Sequence, residues 1–367
     1  MCAASEHHRM SKHEVHVLER TNDAEAQFTQ RSTSIVGRIL IIALKFYLIH
    51  PWTSITIMSD AIVNVTGSYN TNSQTQLTAI NLSISFIHQA IDALHIYNSF
   101  LSNPLIIADF GTSHGANSVY AIKLIINCLC EKNKLYREPL IIHNDLPTND
   151  WKKVFQLLID DNSYKAVVSG HSFCEQCLPD NSLSIGYSST SIHWLSKKPC
   201  NISNHCVSLF ATGDELIAFQ SQVRMDYMSF LENRSHELIP GDILILALPS
   251  LNGQEQCGNQ NAKDLLYKCA EAELHNNPIN FYEQLEIGEI TLGKFAQSRT
   301  ELIRSWCEPI LKTALEINEQ HSKELVNRIL NQYWIIYQSK IKEKTDEYNY
   351  LNYTYLILKK ELKDFIQ

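Results

Sequence analysis

The chain lacks an apolar run long enough to cross a membrane as a helix. The longest stretch, ILIIALKFYLI at 39–49, is interrupted by Lys45 and ended by His50-Pro51, well short of the roughly 20 residues a span needs. It lies late for a signal peptide, and no small-residue cleavage site follows it. A signal anchor, a buried segment and a dispensable extension remain as readings, as does a functional chain that starts at Met58. Positive charge is also scarce: 31 Lys and Arg against 39 Asp and Glu give a net charge of -8. No broad basic surface follows, which argues against nucleic acid as a partner. Cys174-x-x-Cys177 has no second Cys-x-x-Cys and no His-x-His to complete four zinc ligands, so no metal site is expected. The ten cysteines are scattered through 367 residues, as reduced thiols in a cytoplasmic protein would be. Cys128, Cys130 and Cys269 read as small apolar filler. Asn-x-Ser/Thr triplets begin at Asn64, Asn81, Asn201, Asn233 and Asn352 and matter only in a secreted chain. No internal repeat, low-complexity linker or Ser-His-Asp arrangement stands out.

What is present is an alternation of strands and helices around one loop. Leu105 to Ala108 is a continuous apolar, β-branched run, as a strand covered on both faces requires. It stops at Asp109, passes Gly111 and Gly115, and enters a helical pattern from Val119 to Leu129. Strand, acidic glycine turn and helix together form a nucleotide-binding unit, although Gly-x-x-x-Gly is less than the full dinucleotide fingerprint. Leu140 to Asn144 reads as a second strand tipped by Asp145, where an acid can accept bonds from ribose hydroxyls.

Upstream, Leu77, Ile80, Ile84, Ile87, Ile91 and Leu94 recur at three and four, predicting one long helix over 73–101. Downstream, Ala166 to Ser169, Leu183 to Ser189 and Ile243 to Leu248 predict strands, the last following a turn at Pro240-Gly241-Asp242. Helices are expected over 151–159, 214–234, 263–274 and 302–341. Tyr350 to Lys359 predicts a closing strand, antiparallel at the sheet edge. The fold class is therefore α/β: a Rossmann-like, mostly parallel sheet with an antiparallel edge strand and a mainly helical cap. Residues 1–57 read as a disordered or non-domain extension. Residues 58–367 form the domain, its cap contributed mainly by 196–225 and 261–345.

Several short motifs then fall in order. Ser68-Tyr69-x-x-Asn72-Ser73-x-x-Gln76, Ile107-Ala108-Asp109-x-Gly111, Gly115-x-Asn117, Asn144-Asp145-Leu146-Pro147-x-Asn149-Asp150, Ser172-Phe173 and Ser188-Ser189-x-Ser191-x-His193-Trp194 lead to Phe230-Leu231-x-x-Arg234-Ser235-x-Glu237-Leu238. Together they resemble the SABATH family of S-adenosylmethionine-dependent methyltransferases, which methylate small molecules, chiefly carboxylic acids such as salicylate, jasmonate and benzoate. The resemblance implies S-adenosyl-L-methionine as cofactor. It implies Asp109, Gly111, Ser73, Asn117 and Tyr69 around the methionine end, Asp145 at the ribose, and Leu146, Ser172 and Phe173 about the adenine. Gln76 and Trp194 would grip a substrate carboxylate through two N–H donors, with Thr190 and His193 as further pocket wall. No residue would act as acid or base, because a carboxylate is already ionised near neutral pH.

The implied function is an enzyme that transfers a methyl group to the carboxylate of a small, largely apolar acid, giving a methyl ester and S-adenosylhomocysteine. Two alternatives stay open. One is N-methylation of a small heterocycle, against which the presence of Gln76 tilts. The other is a non-catalytic homologue that keeps cofactor binding, suggested by a stretch between Leu274 and Leu285 shorter than in the relatives. The partner implied is a small-molecule carboxylic acid, with neither nucleic acid nor a membrane span, and a homodimer is left open.

Overall fold

The computed structural model describes residues 70, 73–95, 104–203, 205, 208–250, a set of positions between 264 and 316, 322–343 and 352–360. Helices α1 (Gln74–Leu82) and α2 (Ile84–Ala93) come first, followed by β1 (Ile106–Phe110), α3 (Ala116–Glu131), β2 (Leu140–Asp145), α4 (Trp151–Asp161), β3 (Lys165–Gly170) and β4 (Leu183–Ser189). A 3-10 turn at Ser208–Phe210 leads to α5 (Gly213–Glu237), β5 (Leu238–Ser250), α6 (Lys323–Glu343) and β6 (Asn352–Lys359).

The six strands lie in the order β3-β2-β1-β4-β5-β6. β1 to β5 are parallel and β6 runs antiparallel against β5. This is the mostly parallel sheet with an antiparallel edge that the alternation predicted. Strand order reverses between β1 and β4, so a crevice opens at the carboxyl ends of those two strands.

The strand periodicity of two divides the core. Ile107 is in register with Ile141 and with Ile185, and Ile185 with Ile243, giving a row of isoleucines across four strands. This row packs with Ile87 and Ile91 of α2 and Ile122 and Ile125 of α3. The alternate residues Ala108, Phe110 and Leu246 face the other way, onto Tyr227, Phe230 and Leu231 of α5. A third cluster joins Leu209 to Val326, Leu330, Tyr333, Trp334 and Tyr337 of α6.

Three expectations need correction. The helix predicted over 73–101 is two helices that meet at Ser83, whose Oγ donates 2.7 Å to the Ile80 carbonyl, and regular helix ends at Ala93. A serine hydroxyl that bonds back to the preceding turn competes with the helical ladder. The turn predicted at Pro240-Gly241-Asp242 lies instead inside β5. Between Leu183↔Leu238 and Ile185↔Ile243, β4 advances two residues and β5 five, so three extra residues bulge there with Gly241 at φ 90°. Cys128 is buried in α3 as expected, but Cys130 on the same helix is exposed. The remaining helices predicted over 263–274 and 302–322, and the first fifty-seven residues, lie largely or wholly outside the described residues.

Candidate functional site

The crevice is built from the end of β1. Asp109 and Phe110 are buried, and the chain then turns on Gly111 at φ 96°. A Cβ on Gly111 would stand 2.2 Å from the Ser191 Cβ. Glycine is therefore required twice, by its left-handed conformation and by the close approach of the segment after β4. The N–H groups of Gly111 and Thr112 both reach the Asn144 carbonyl, at 2.9 and 3.0 Å. Gly115, at φ 95°, caps α3. Asn70 spans the loop, donating to the His114 carbonyl at 3.1 Å and accepting from the Ala116 N–H at 3.4 Å.

Gln76, Ile80, Asp109, Gly111, Asn117 and Thr190 line one cleft, with Tyr187 and Ser189 of β4 beside them. The structure thus brings together three cofactor residues and two substrate residues expected from the sequence. The Gln76 Oε1 is buried in this cleft without a hydrogen-bond partner. Thr190, at φ 54°, closes the end of β4, and its N–H donates 2.8 Å to the Ala247 carbonyl. Ser73 is buried behind Asn117, whose side-chain amide donates 3.4 Å to the Ser73 carbonyl. Tyr69 lies outside the described residues.

Two carboxylates mark the ends of β1 and β2. Asp109 accepts from Thr112 Oγ1 at 3.4 Å and, more closely, from Ser118 Oγ. Burial drives its pKa up to about 7; the hydroxyl of Ser118 opposes the rise, while the charge of Asp145 adds to it. Asp145 takes the Ser113 N–H at 2.6 Å on Oδ2 and the Leu146 N–H at 2.8 Å on Oδ1. Burial raises its pKa too, against those two N–H bonds. Each oxygen keeps a second lone pair for a hydroxyl donor.

Beyond β3, Ser172 Oγ accepts the Cys174 N–H at 3.3 Å, and Phe173 meets Phe230 edge-on at 6.1 Å. This loop is held by a buried ion pair. Arg234 donates to Glu237 through Nε and Nη2, both at 2.7 Å, and to the carbonyls of Phe173 and Glu175 at 2.7 and 2.9 Å. Glu237 in turn accepts the N–H groups of Cys177 and Leu178 at 2.6 and 3.0 Å. Asn144 Nδ2 adds a bond of 2.9 Å to the His171 carbonyl.

His193 and Trp194 do not line the cleft of Gln76. Their rings lie 5.6 Å apart, and Trp194 packs against the cluster of Leu209, Trp334 and Tyr337. The segment that carries them is tied to α5 at Ser196, whose N–H and Oγ donate 2.9 and 2.6 Å to Asp226.

Sequence reasoning missed a polar row under the cleft. Asp109 is in register with His143 and with Tyr187, on the face that carries the isoleucine row. Ser118 Oγ lies 2.8 Å from His143 Nδ1, and His143 Nε2 lies 3.2 Å from the Tyr164 hydroxyl. Burial holds the His143 pKa down at about 4, so the ring is neutral. A histidine directly after the apolar run Leu140-Ile141-Ile142, two residues before Asp145, was the available signal.

Comparison with known proteins agrees with this geometry. Residues 63–276 match the family described as SAM dependent carboxyl methyltransferase. The chain is 26% identical to S-adenosyl-L-methionine:benzoic acid/salicylic acid carboxyl methyltransferase 3 of Petunia hybrida, over 78% of this chain and 94% of that one. It is 29% identical to salicylate carboxymethyltransferase of Clarkia breweri, over 53% of this chain and 57% of that one. The match to this second relative thus spans little more than half of its length. Among solved structures, a loganic acid methyltransferase with SAH superimposes with a TM-score of 0.64 at 22% identity, covering 84% of this chain and 99% of that one. The last comparison speaks for the fold, and the family match covers more than half of the chain. By that match, this chain belongs to the family of S-adenosylmethionine-dependent carboxyl methyltransferases.

Proposed function

We propose that the chain transfers the methyl group of S-adenosylmethionine to the carboxylate of a small, largely apolar acid, releasing a methyl ester and S-adenosylhomocysteine. One observation carries this reading: the acid-tipped, glycine-turned end of β1 opens at the β1/β4 switch point beside the half-buried Gln76, whose amide oxygen is buried in the cleft.

The residues there suit the cofactor's chemistry. Asp109 offers a carboxylate to an ammonium group, the bare backbone at Gly111 admits a close approach, and Asp145 keeps free lone pairs for ribose hydroxyls. Ser73 and Asn117 border the same end, with Tyr69 just before them in sequence. Leu146, Ser172 and Phe173 supply the flanking surfaces for the adenine, on a loop that Arg234 and Glu237 hold in place.

When bound, the cofactor supplies an electrophilic methyl group on a sulfonium. The chain's own residues then bind, orient and exclude water. Gln76 presents its amide to the substrate carboxylate, and a half-turn of that amide exchanges its donor and acceptor ends. Thr190 borders Gln76 in the cleft, whereas His193 and Trp194 stand outside it, Trp194 against Leu209 and Trp334. No general base is required of any of them, since the nucleophile enters as an anion. Holding oxygen and methyl in line draws on the roughly 7–11 kcal/mol available from proximity and orientation.

Calorimetry with S-adenosylhomocysteine tests the site. The full chain is expected to bind in the micromolar range and Asp109→Ala to lose that binding. Equal affinity in the two proteins would remove the cleft from consideration.

A further inference from the structure

We propose that His143 and Tyr164 are positioning residues for the Asp109 carboxylate: through Ser118 they form a hydrogen-bond chain that reverses polarity when Asp109 changes protonation. This rests on the reading of Asp109 as the partner of the cofactor's ammonium group.

The geometry is continuous. Tyr164 hydroxyl, His143 Nε2 and Nδ1, Ser118 Oγ and Asp109 Oδ2 follow one another at 3.2 Å, 2.8 Å and a still shorter final contact. His143, Ser118 and Asp109 are each at most 4% exposed, so water does not compete for these bonds. A neutral imidazole has one donor nitrogen and one acceptor nitrogen, and the hydroxyls on either side can turn. Two arrangements satisfy both ring nitrogens, one for each protonation state of Asp109.

With Asp109 ionised, Tyr164 donates to Nε2, Nδ1–H donates to Ser118, and Ser118 donates to the carboxylate. All donors then point toward the charge, and each bond polarises the next. With Asp109 protonated, its O–H can donate to Ser118, Ser118 to Nδ1, and Nε2–H to Tyr164. No proton needs to cross the chain. Within the ring, Nδ1–H becomes Nε2–H through exchange with solvent during local opening, while Asp109 takes its own proton from solvent.

The ionisable groups facing Asp109 are Asp145 from β2, His143 beside it, Tyr164 ahead of β3 and Tyr187 from β4. Among these none is cationic, since burial keeps His143 neutral with a pKa of about 4. The chain of donors therefore supplies what a counter-ion otherwise would. Asp109, at about 7, sits close to its switching point near neutral pH. When a cationic ligand arrives below that point, Asp109–COOH becomes Asp109–COO⁻ and one proton leaves to solvent, after which the chain adopts its donor-forward order.

The test uses the full chain and S-adenosylhomocysteine as probe. Calorimetry in buffers of different ionisation enthalpy is expected to find about one proton released per site near pH 6, falling to none above pH 8. His143→Leu removes the donor to Ser118, which shifts the midpoint of release upward by about one unit and weakens binding roughly tenfold at pH 6.5. His143→Asn, whose amide nitrogen can occupy the place of Nδ1, restores both. Nitrogen NMR of His143 reads the same switch without mutation: the Nε2–H tautomer in the free protein near pH 5.5 and the Nδ1–H tautomer in the complex. Should His143→Leu fail to fold, Tyr164→Phe and the tautomer measurement decide. Wild-type binding with no proton release, with one tautomer throughout, or with His143→Leu and His143→Asn alike would overturn the inference alone. Absence of binding at every pH would overturn the cofactor reading and this inference with it.

Discussion

Gln76 and Asp242 show how differently a buried polar group can act in this molecule. Gln76 places its amide in the cleft with one end unpaired, so its role is open to a ligand. A hydrogen bond to a charged group is worth about 1.5–3 kcal/mol. Gln76→Ala is accordingly expected to raise the KM for the acid about 10- to 100-fold while changing cofactor affinity little. Equal losses in both would remove its substrate role. Asp242 is fully buried in the bulge of β5. Burial pushes its carboxyl up to about 8, against the Ser184 hydroxyl and the charge of Lys359. Its folded pKa therefore exceeds the unfolded value of 3.8, and the folded state binds the proton more tightly. The stability it contributes is complete below about pH 4 and is lost as pH rises toward 8. Asp242→Asn should stabilise the protein by about 2–4 kcal/mol at pH 7 and leave it unchanged near pH 4. Denaturant unfolding at the two pH values measures this; a gain independent of pH would assign the effect to something other than ionisation.

At the scale of elements, the last turn of α5 governs a loop that contains the expected adenine contacts. Arg234 and Glu237 are completely buried, and Arg234 also lies 4.1 Å over the Phe110 ring at the end of β1. Removing one member of such a pair strands the other charge and costs about 3–5 kcal/mol. Arg234→Ala should destabilise by that amount in thermal or denaturant unfolding, and Arg234→Lys should recover little, because an ammonium cannot form the two-pronged contact. Full recovery by lysine would argue that charge alone matters. Gly111→Ala should cost about 1–3 kcal/mol from its left-handed backbone, with further loss where Ser191 stands in the way. A melting temperature equal to that of the wild type would contradict the close approach. The strands were legible in sequence because both-face burial produces continuous runs such as Ile106 to Ala108 and Ile243 to Leu248. The break at Ser83 was not, since the apolar spacing of 77–94 passes through it unchanged and only a hydroxyl back-bond marks it. The bulge at Gly241 was equally hidden, because register depends on β4, some sixty residues earlier.

For the whole molecule, sheet order places the two acids expected from sequence at the ends of neighbouring strands, and α1 brings the expected amide to the cleft of Asp109. Asp109, Gly111, Asn117, Gln76 and Thr190 converged because each lies at a strand end or on the helix that covers it. Of the donor chain behind Asp109 only the histidine in β2 stood out in the sequence, since Ser118, His143 and Tyr164 are brought together by the packing of α3 on β1 and β2 and by the approach to β3. Trp194 marks where sequence and cleft part, as it packs on the α6 cluster instead. The central claim is that this cleft joins a methyl donor to a carboxylate. Labelled methyl transfer from S-adenosylmethionine, run with the full chain over a panel of small apolar acids and matched amines, tests it most directly. Label recovered as a base-labile ester of an acid is the predicted result; label on amines only, or on nothing while the cofactor binds, would contradict it.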